Sequence, residues 1–270
     1  MSSSPSLLFV GGGQMAQALA GGMIRGGIAE KTIRVVEPDD STAAIWKERH
    51  PEVRRVDIAD GVADSDIVII AVKPPVVPSV AKSIDDWSGK LIVSIAAGVT
   101  LERLQNWFGT WRVVQVMPNT PALVGCGVSG YCVGAEASDA DRQWVAAALS
   151  SVGLAAEVMP SQMSAVTAVS GSGPAYVCLM IEAMADAGVA AGLPRKLSMQ
   201  LATETVAGAA RWIADAPIHP AVGKDAVSSP GGTTIAGVTA LEQNGFRAAM
   251  MAAVAAASAR ANAMATDDPS

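Results

Sequence analysis

The apolar pattern opens at Leu7-Leu8-Phe9-Val10, stops at Gly11-Gly12-Gly13, and resumes with Met15, Ala18, Leu19 and Met23 at helical spacing as far as Gly26-Gly27. A short continuous run, then glycines, then a period near that of a helix predicts strand, tight turn and helix. Thr32 to Val36 is rich in β-branched residues and ends at Glu37-Pro38, and Ile67 to Val72, Leu91 to Ile95 and Arg112 to Val116 repeat the pattern. Strands that are apolar throughout, instead of alternating, belong to a sheet covered on both faces. Helical patterns around Ser41 to Arg49, Val76 to Ile84 and Leu101 to Phe108 supply the covers. Residues 1–160 are therefore expected to form an α/β domain, a Rossmann doubly wound parallel sheet.

After about Ser161 the chain turns rich in Ala and Met, broken by Gly-Pro and Gly-Leu-Pro. Helices are predicted over Ala175 to Ala191, Arg195 to Ala214, Thr234 to Asn244 and Phe246 to Met264, so residues 161–270 read as an all-helical domain with a polar, frayed end at Asp267-Asp268-Pro269-Ser270. Small residues on several faces, as at Ala207-Gly208-Ala209-Ala210, let helices approach closely and suggest interleaved subunits.

Composition sharpens this. Half the residues are hydrophobic and only 16% are charged, too few to solvate a free monomer well, so a homodimer or larger assembly is expected. The net charge of −6, without a basic run, offers nothing to nucleic acid or to an anionic membrane. The segment from Ala175 to Gly192 is apolar enough to suggest a membrane span, but Glu182 and Asp186 fall on one of its faces, and a buried interface helix is the better reading. No cationic leader precedes the first apolar run, so a cytoplasmic protein is expected. Cys126, Cys132 and Cys178 form no disulfide or metal pattern and read as buried thiols in a reducing compartment. His50 and His219 have no ligand-like neighbours, so no metal is expected.

The chemistry then lies in loops. Gly11, Gly13 and Ala16 fit G-x-G-x-x-G/A: the first for the turn, the second for approach of the pyrophosphate, the third for contact between helix and strand. With Gln14 and Met15 they would bind a dinucleotide at a helix N-terminus. Glu37, next to Pro38, ends the second strand 24 residues after Gly13; it either reads the adenine ribose 2′-OH, favouring NADH, or is a solvated acid at a strand end. No arginine lies in Pro38-Asp39-Asp40-Ser41-Thr42 to receive a 2′-phosphate. Ala71-Val72-Lys73-Pro74, the stretch containing Ala96 and Ala97, and Met117-Pro118-Asn119-Thr120-Pro121 end later strands at the same sheet edge, where cofactor and nicotinamide ring would lie. A second glycine loop, Ser228-Ser229-Pro230-Gly231-Gly232-Thr233-Thr234, precedes a helix and is suited to a small carboxylate; ordinary capping by Thr233 would explain one hydroxyl of it. Ser170-Gly171-Ser172-Gly173-Pro174 looks like a similar helix opening.

Together with Tyr176, Asp186-Ala187-Gly188-Val189, Gly192-Leu193-Pro194-Arg195 and Ile235, these segments resemble, in order and over nearly the whole chain, the pyrroline-5-carboxylate reductases. The resemblance implies reduction of 1-pyrroline-5-carboxylate to L-proline by hydride from NAD(P)H, NADPH being the family norm, in a dimer built through the helical domain. It implies that Ser229, Gly231, Gly232, Thr233 and Thr234 hold the substrate carboxylate, and that the Thr234 hydroxyl faces the ring nitrogen as an orienting donor. Several positions depart from the family: Gln115 and Ser164 replace a frequent arginine and aspartate, Ile58 a frequent asparagine at the cofactor, and Glu37 a small or basic residue. Reduction of another cyclic imine, or dinucleotide binding without catalysis, are the competing readings.

Overall fold

The computed structural model describes residues 5–216 and 218–266; the expected fraying at Asp267-Asp268-Pro269-Ser270 falls outside them. The strands are β1 Leu7–Val10, β2 Ile33–Val36, β3 Arg54–Arg55, β4 Ile67–Ile70, β5 Leu91–Ser94, β6 Val113–Met117, β7 Gly127–Val133 and β8 Gly153–Glu157. The helices are α1 Gln14–Arg25, α2 Asp40–Arg49, α3 Ile58–Ala63, α4 Val77–Lys82, α5 Leu101–Phe108, α6 Asp139–Ser150, α7 Met163–Val166, α8 Gly173–Ala190, α9 Arg195–Asp215, α10 Pro220–Ala226, α11 Thr233–Gln243 and α12 Phe246–Thr266.

The strands make one sheet in the order β3-β2-β1-β4-β5-β6-β7-β8. Its outward winding from β1 is the doubly wound arrangement expected, and it puts the first glycine turn where the strand order reverses. The sheet is not wholly parallel, however: β7 runs antiparallel to β6, Val116 facing Tyr131, and β8 then pairs in parallel with β7. The strands β7 and β8 and the helix α6 extend the sheet beyond the five strands read from the sequence.

The apolar runs pack as their lack of alternation predicts. Leu7 and Phe9 join a core with α1 and α6 on one face, whereas Leu8 and Val10 join a core with α4 and α5 on the other. All of β1 is buried. Ile58 packs against the second core, so its side chain is an apolar packing group.

The chain divides into two compact units. One runs to Ser172 and takes in the chain from Ala257 onward; the other is Gly173–Ala256 and wholly helical. Within the second, α8 and α9 form a hairpin. Gly188 has no room for a side chain, since a Cβ there would lie 2.1 Å from the Ser198 hydroxyl, and that hydroxyl donates to the Ala185 carbonyl at 2.6 Å. Gly192, at a φ of 102°, makes the turn, and Asp186 pairs with Arg195 across it. The helical run Pro160–Ala190 has the length and hydropathy of a membrane span, yet carries this ion-paired Asp186.

The cysteines differ from expectation. Cys132 on β7 is buried, its thiol pushed up to about 11 by desolvation, and so unreactive. Cys126 and Cys178 are exposed, the first in the turn before β7, the second on α8.

Candidate active site

The first glycine turn is held on both sides of Gly12, through the N–H of one peptide group and the C=O of the next. Gly11 has a φ of 97°, a left-handed conformation, and a Cβ on it would lie 2.7 Å from the Ala71 carbonyl oxygen, so both backbone and space require glycine. The Gly12 amide donates to Glu37 Oε2 at 2.7 Å. Its carbonyl accepts from Trp46 Nε1 at 2.7 Å and Gln17 Nε2 at 3.0 Å. Trp46, on α2, is 2% exposed and stacks obliquely on Phe9. Neither Trp46 nor Gln17 was marked as functional by sequence, because their contact is made by packing and not by spacing.

Gly13 is the opposite case. It is exposed, it caps α1 without any side-chain bond, and a Cβ built on it meets nothing within 4 Å. The amides of Gln14, Met15 and Ala16 behind it have no acceptor within the helix. A rigid turn, an open glycine and a run of free amides at the start of a helix fit a pyrophosphate. The residues present thus suit a dinucleotide.

Around that cradle, Glu37 and Pro38 follow β2, Ala71 to Pro74 follow β4, and Ala96 and Ala97 follow β5. Lys73 is exposed, and its ammonium has no hydrogen-bond partner among the described residues. Asn119 follows β6. Expected at the nicotinamide, it is 7% exposed and spends its amide on the protein: Nδ2 donates to the Ser170 carbonyl at 2.9 Å, and Oδ1 accepts from the Val128 amide at 2.8 Å. A buried amide must be satisfied, and this one ties β7 to the π-turn Thr167–Gly171. Gln115 is likewise internal, its Oε1 accepting from the Leu101 amide at 3.1 Å.

The two serine-glycine segments also differ from each other. Ser170 and Gly171 close the π-turn, and only from Gly173 does α8 begin, so Ser170-Gly171-Ser172 interrupts a helical run instead of opening one. The loop before α11 is a true helix opening. Gly231 is left-handed at a φ of 67°, and Gly232, not Thr233, is the N-cap, with no side-chain cap bond. A Cβ at Gly232 would lie 2.2 Å from Ser229 Oγ, so glycine lets that hydroxyl turn inward. Among the described residues the hydroxyls of Ser229, Thr233 and Thr234 have no hydrogen-bond partner. Unused hydroxyls and unused helix amides at one loop can receive a carboxylate.

Residues 160–264 match the family model described as pyrroline-5-carboxylate reductase dimerisation, and residues 6–98 match one described as NADP oxidoreductase, coenzyme F420-dependent. Pyrroline-5-carboxylate reductase of Arabidopsis thaliana is 42% identical to the chain, over 93% of it and 92% of the relative. The chain belongs to the pyrroline-5-carboxylate reductase family. The family's solved structures agree with the fold. A pyrroline-5-carboxylate reductase from Coxiella burnetii superposes with a TM-score of 0.91 at 30% identity, over 98% of this chain and all of that one. A pyrroline carboxylate reductase from Plasmodium falciparum, solved with NADP bound, gives 0.86 at 34% identity over 97% and 99%. Both glycine loops are thus present in a member of the family.

Proposed function

We infer that this chain reduces the C=N bond of 1-pyrroline-5-carboxylate, giving L-proline, with NAD(P)H as hydride donor. The observation that carries this reading is the loop before α11: left-handed Gly231, an uncapped helix start, and hydroxyls on Ser229, Thr233 and Thr234 that serve no structural bond.

In this reading Gly11, Gly13, Gln14, Met15 and Ala16 hold the pyrophosphate, Glu37 and Pro38 the adenosine ribose, and Ala71, Val72, Lys73, Pro74, Ala96 and Ala97 line the path of the cofactor toward its ring. Asn119 acts as a positioning residue through the Ser170 carbonyl and the Val128 amide. The dinucleotide supplies the hydride. Ser229, Gly231, Gly232 and Thr233 anchor the substrate carboxylate, and Thr234, on the first turn of α11, directs its hydroxyl to the ring nitrogen. The carbon of a protonated C=N bond accepts hydride directly and the π pair moves to nitrogen as the lone pair of the amine, so the protein needs no nucleophile; holding the two reactants in register supplies most of the rate. Threonine is a poor acid, so Thr234 orients the nitrogen while solvent delivers the proton.

The helical region 161–270 serves as substrate-binding and dimerisation domain, the catalytic form being a homodimer or an assembly of dimers. Leu179 and Met251, on α8 and α12, are 66% and 74% exposed in one chain, as an interface requires. The reading further places the enzyme in the cytoplasm, with no membrane or nucleic-acid partner. The deciding experiment is a reductase assay on purified protein with pyrroline-5-carboxylate and each dinucleotide in turn. Oxidation of either supports the assignment, and oxidation of neither overturns it.

A further inference from the structure

We propose that this chain selects NADH over NADPH, through a carboxylate that the phosphate loop itself holds in place and an arginine whose guanidinium is already engaged by Asp40 and the Pro38 carbonyl; the proposal rests on the reductase reading above. A cavity of about 670 Å³ opens at the end of β2, its charged lining being Glu37, Arg55, Asp57 and Asp60. Three carboxylates against one guanidinium leave it negative, a poor setting for the 2′-phosphate that distinguishes NADPH.

Glu37 cannot swing clear of an incoming phosphate. Its Oε2 accepts the Gly12 amide at 2.7 Å, and its Oε1 accepts the Asp39 amide at 2.8 Å. Moving it would strand the amide of Gly12, which is buried. Each carboxylate oxygen nevertheless keeps a second lone pair, so the same fixed group can still accept the hydroxyls of an unphosphorylated ribose. The phosphate loop and the ribose reader are one hydrogen-bonded unit.

Arg55 is the group that could reverse this choice. No arginine lies between Pro38 and Thr42, but the short strand β3 brings Arg55 alongside Val35 of β2 and into the cavity wall. Its guanidinium is already engaged, Nη1 with Asp40 Oδ1 at 2.7 Å and Nη2 with the Pro38 carbonyl at 3.0 Å. Because Asp40 is 91% exposed, that ion pair is weak. Glu37 therefore contributes most of the preference, and Asp40 a smaller part.

The test is equilibrium binding without substrate, following nicotinamide fluorescence as NADH or NADPH is titrated into the full-length protein. We expect the wild type to bind NADH more tightly by about tenfold or more. Asp40→Asn alone should move the ratio less than about threefold. Glu37→Ser should bring the ratio to one or below, Glu37→Ser with Asp40→Asn should favour NADPH, and adding Arg55→Leu should remove that gain. If Glu37 only braces the loop, Glu37→Ser weakens both dinucleotides equally and the ratio stays fixed, which overturns the proposal. Wild-type protein binding NADPH as tightly as NADH does so as well. Failure to bind either dinucleotide would instead overturn the reductase reading, so the two failures are distinguishable.

Discussion

Gly12 and Gly13 are adjacent glycines of one loop, yet alanine should act on them in opposite ways. At Gly12 the new methyl would sit 2.6 Å from Trp46 Nε1 and 3.0 Å from Glu37 Oε2. Gly12 is not in the left-handed region, so the cost is steric and comes from displacing a fully packed indole together with its hydrogen bond. Overpacking of this kind costs about 1–3 kcal/mol. Taking about 2 kcal/mol, the melting temperature should fall by roughly 4–8 °C for a chain of this size. At Gly13 the methyl meets no protein atom within 4 Å, and the backbone, with φ −63° and ψ −179°, is open to any residue. The small loss in capping and the small gain from a stiffer unfolded chain nearly cancel, leaving stability within about 0.5 kcal/mol of wild type. The methyl does occupy the space over the free amides of α1. Losing one charge-assisted bond to phosphate, about 1.5–3 kcal/mol, should weaken dinucleotide binding on the order of 10- to 100-fold. Thermal melts by circular dichroism and calorimetric titration with the dinucleotide separate the two effects. Unchanged affinity in Gly13→Ala would refute the placement of the pyrophosphate, and an unchanged melt in Gly12→Ala would refute the clamp.

Other consequences follow from residues farther along the chain. Thr234→Ala should lower kcat much more than it alters the dissociation constant of the cofactor, and steady-state kinetics showing kcat intact would remove Thr234 from the mechanism. Asp141 is nearly buried, takes both Arg112 Nε and Nη2 at 2.9 and 2.8 Å, and closes the capping box of α6. Asp141→Asn should cost about 2–3 kcal/mol in a urea melt. Chiefly through the Arg112 bonds, Asp141 is held below the usual carboxylate range, so its contribution is complete above pH ~4 and is lost as pH falls through its lowered folded value. Wild type should accordingly lose stability on acidification below that point more steeply than Asp141→Asn; parallel acid profiles would contradict this. Leu179→Glu should shift the protein toward monomer in light scattering without unfolding its helices, and an unaltered mass would remove that face from the interface.

How much of this was legible in the sequence depends on how local each cause is. The strand, turn and helix from Leu7 to Arg25 are set by a continuous apolar run and three glycines, all neighbours, and they appear in the structure where the pattern places them. The strands β7 and β8 escaped because Gly-Val-Ser-Gly-Tyr-Cys-Val and Gly-Leu-Ala-Ala-Glu have no apolar run, and β8 lies at the edge of the sheet, where one side needs no partner. Asn119 was placed at the cofactor from its position after a strand; its actual partners, Val128 and Ser170, depend on an antiparallel return and a π-turn that no spacing announces. Arg55 was invisible for a related reason, since two consecutive arginines do not look like a strand.

The same distinction explains where this chain can differ from its relatives and still fold as they do. The motif glycines answer to steric demands: the Ala71 carbonyl 2.7 Å from a Cβ on Gly11, and the open face at Gly13. The demand on Gly11 comes from the sheet itself and tolerates no exchange, whereas Gly13 is free of it and matters to the ligand, not to the fold. Glu37, Trp46 and Gln17 act instead by hydrogen bonding to the N–H and C=O of Gly12, contacts that other side chains could satisfy. In the proposal above, exchanging Glu37 or Arg55 changes cofactor preference while Trp46 and Gln17 still hold the Gly12 carbonyl, whereas a change at Gly11 or Gly12 would disturb the loop for either dinucleotide.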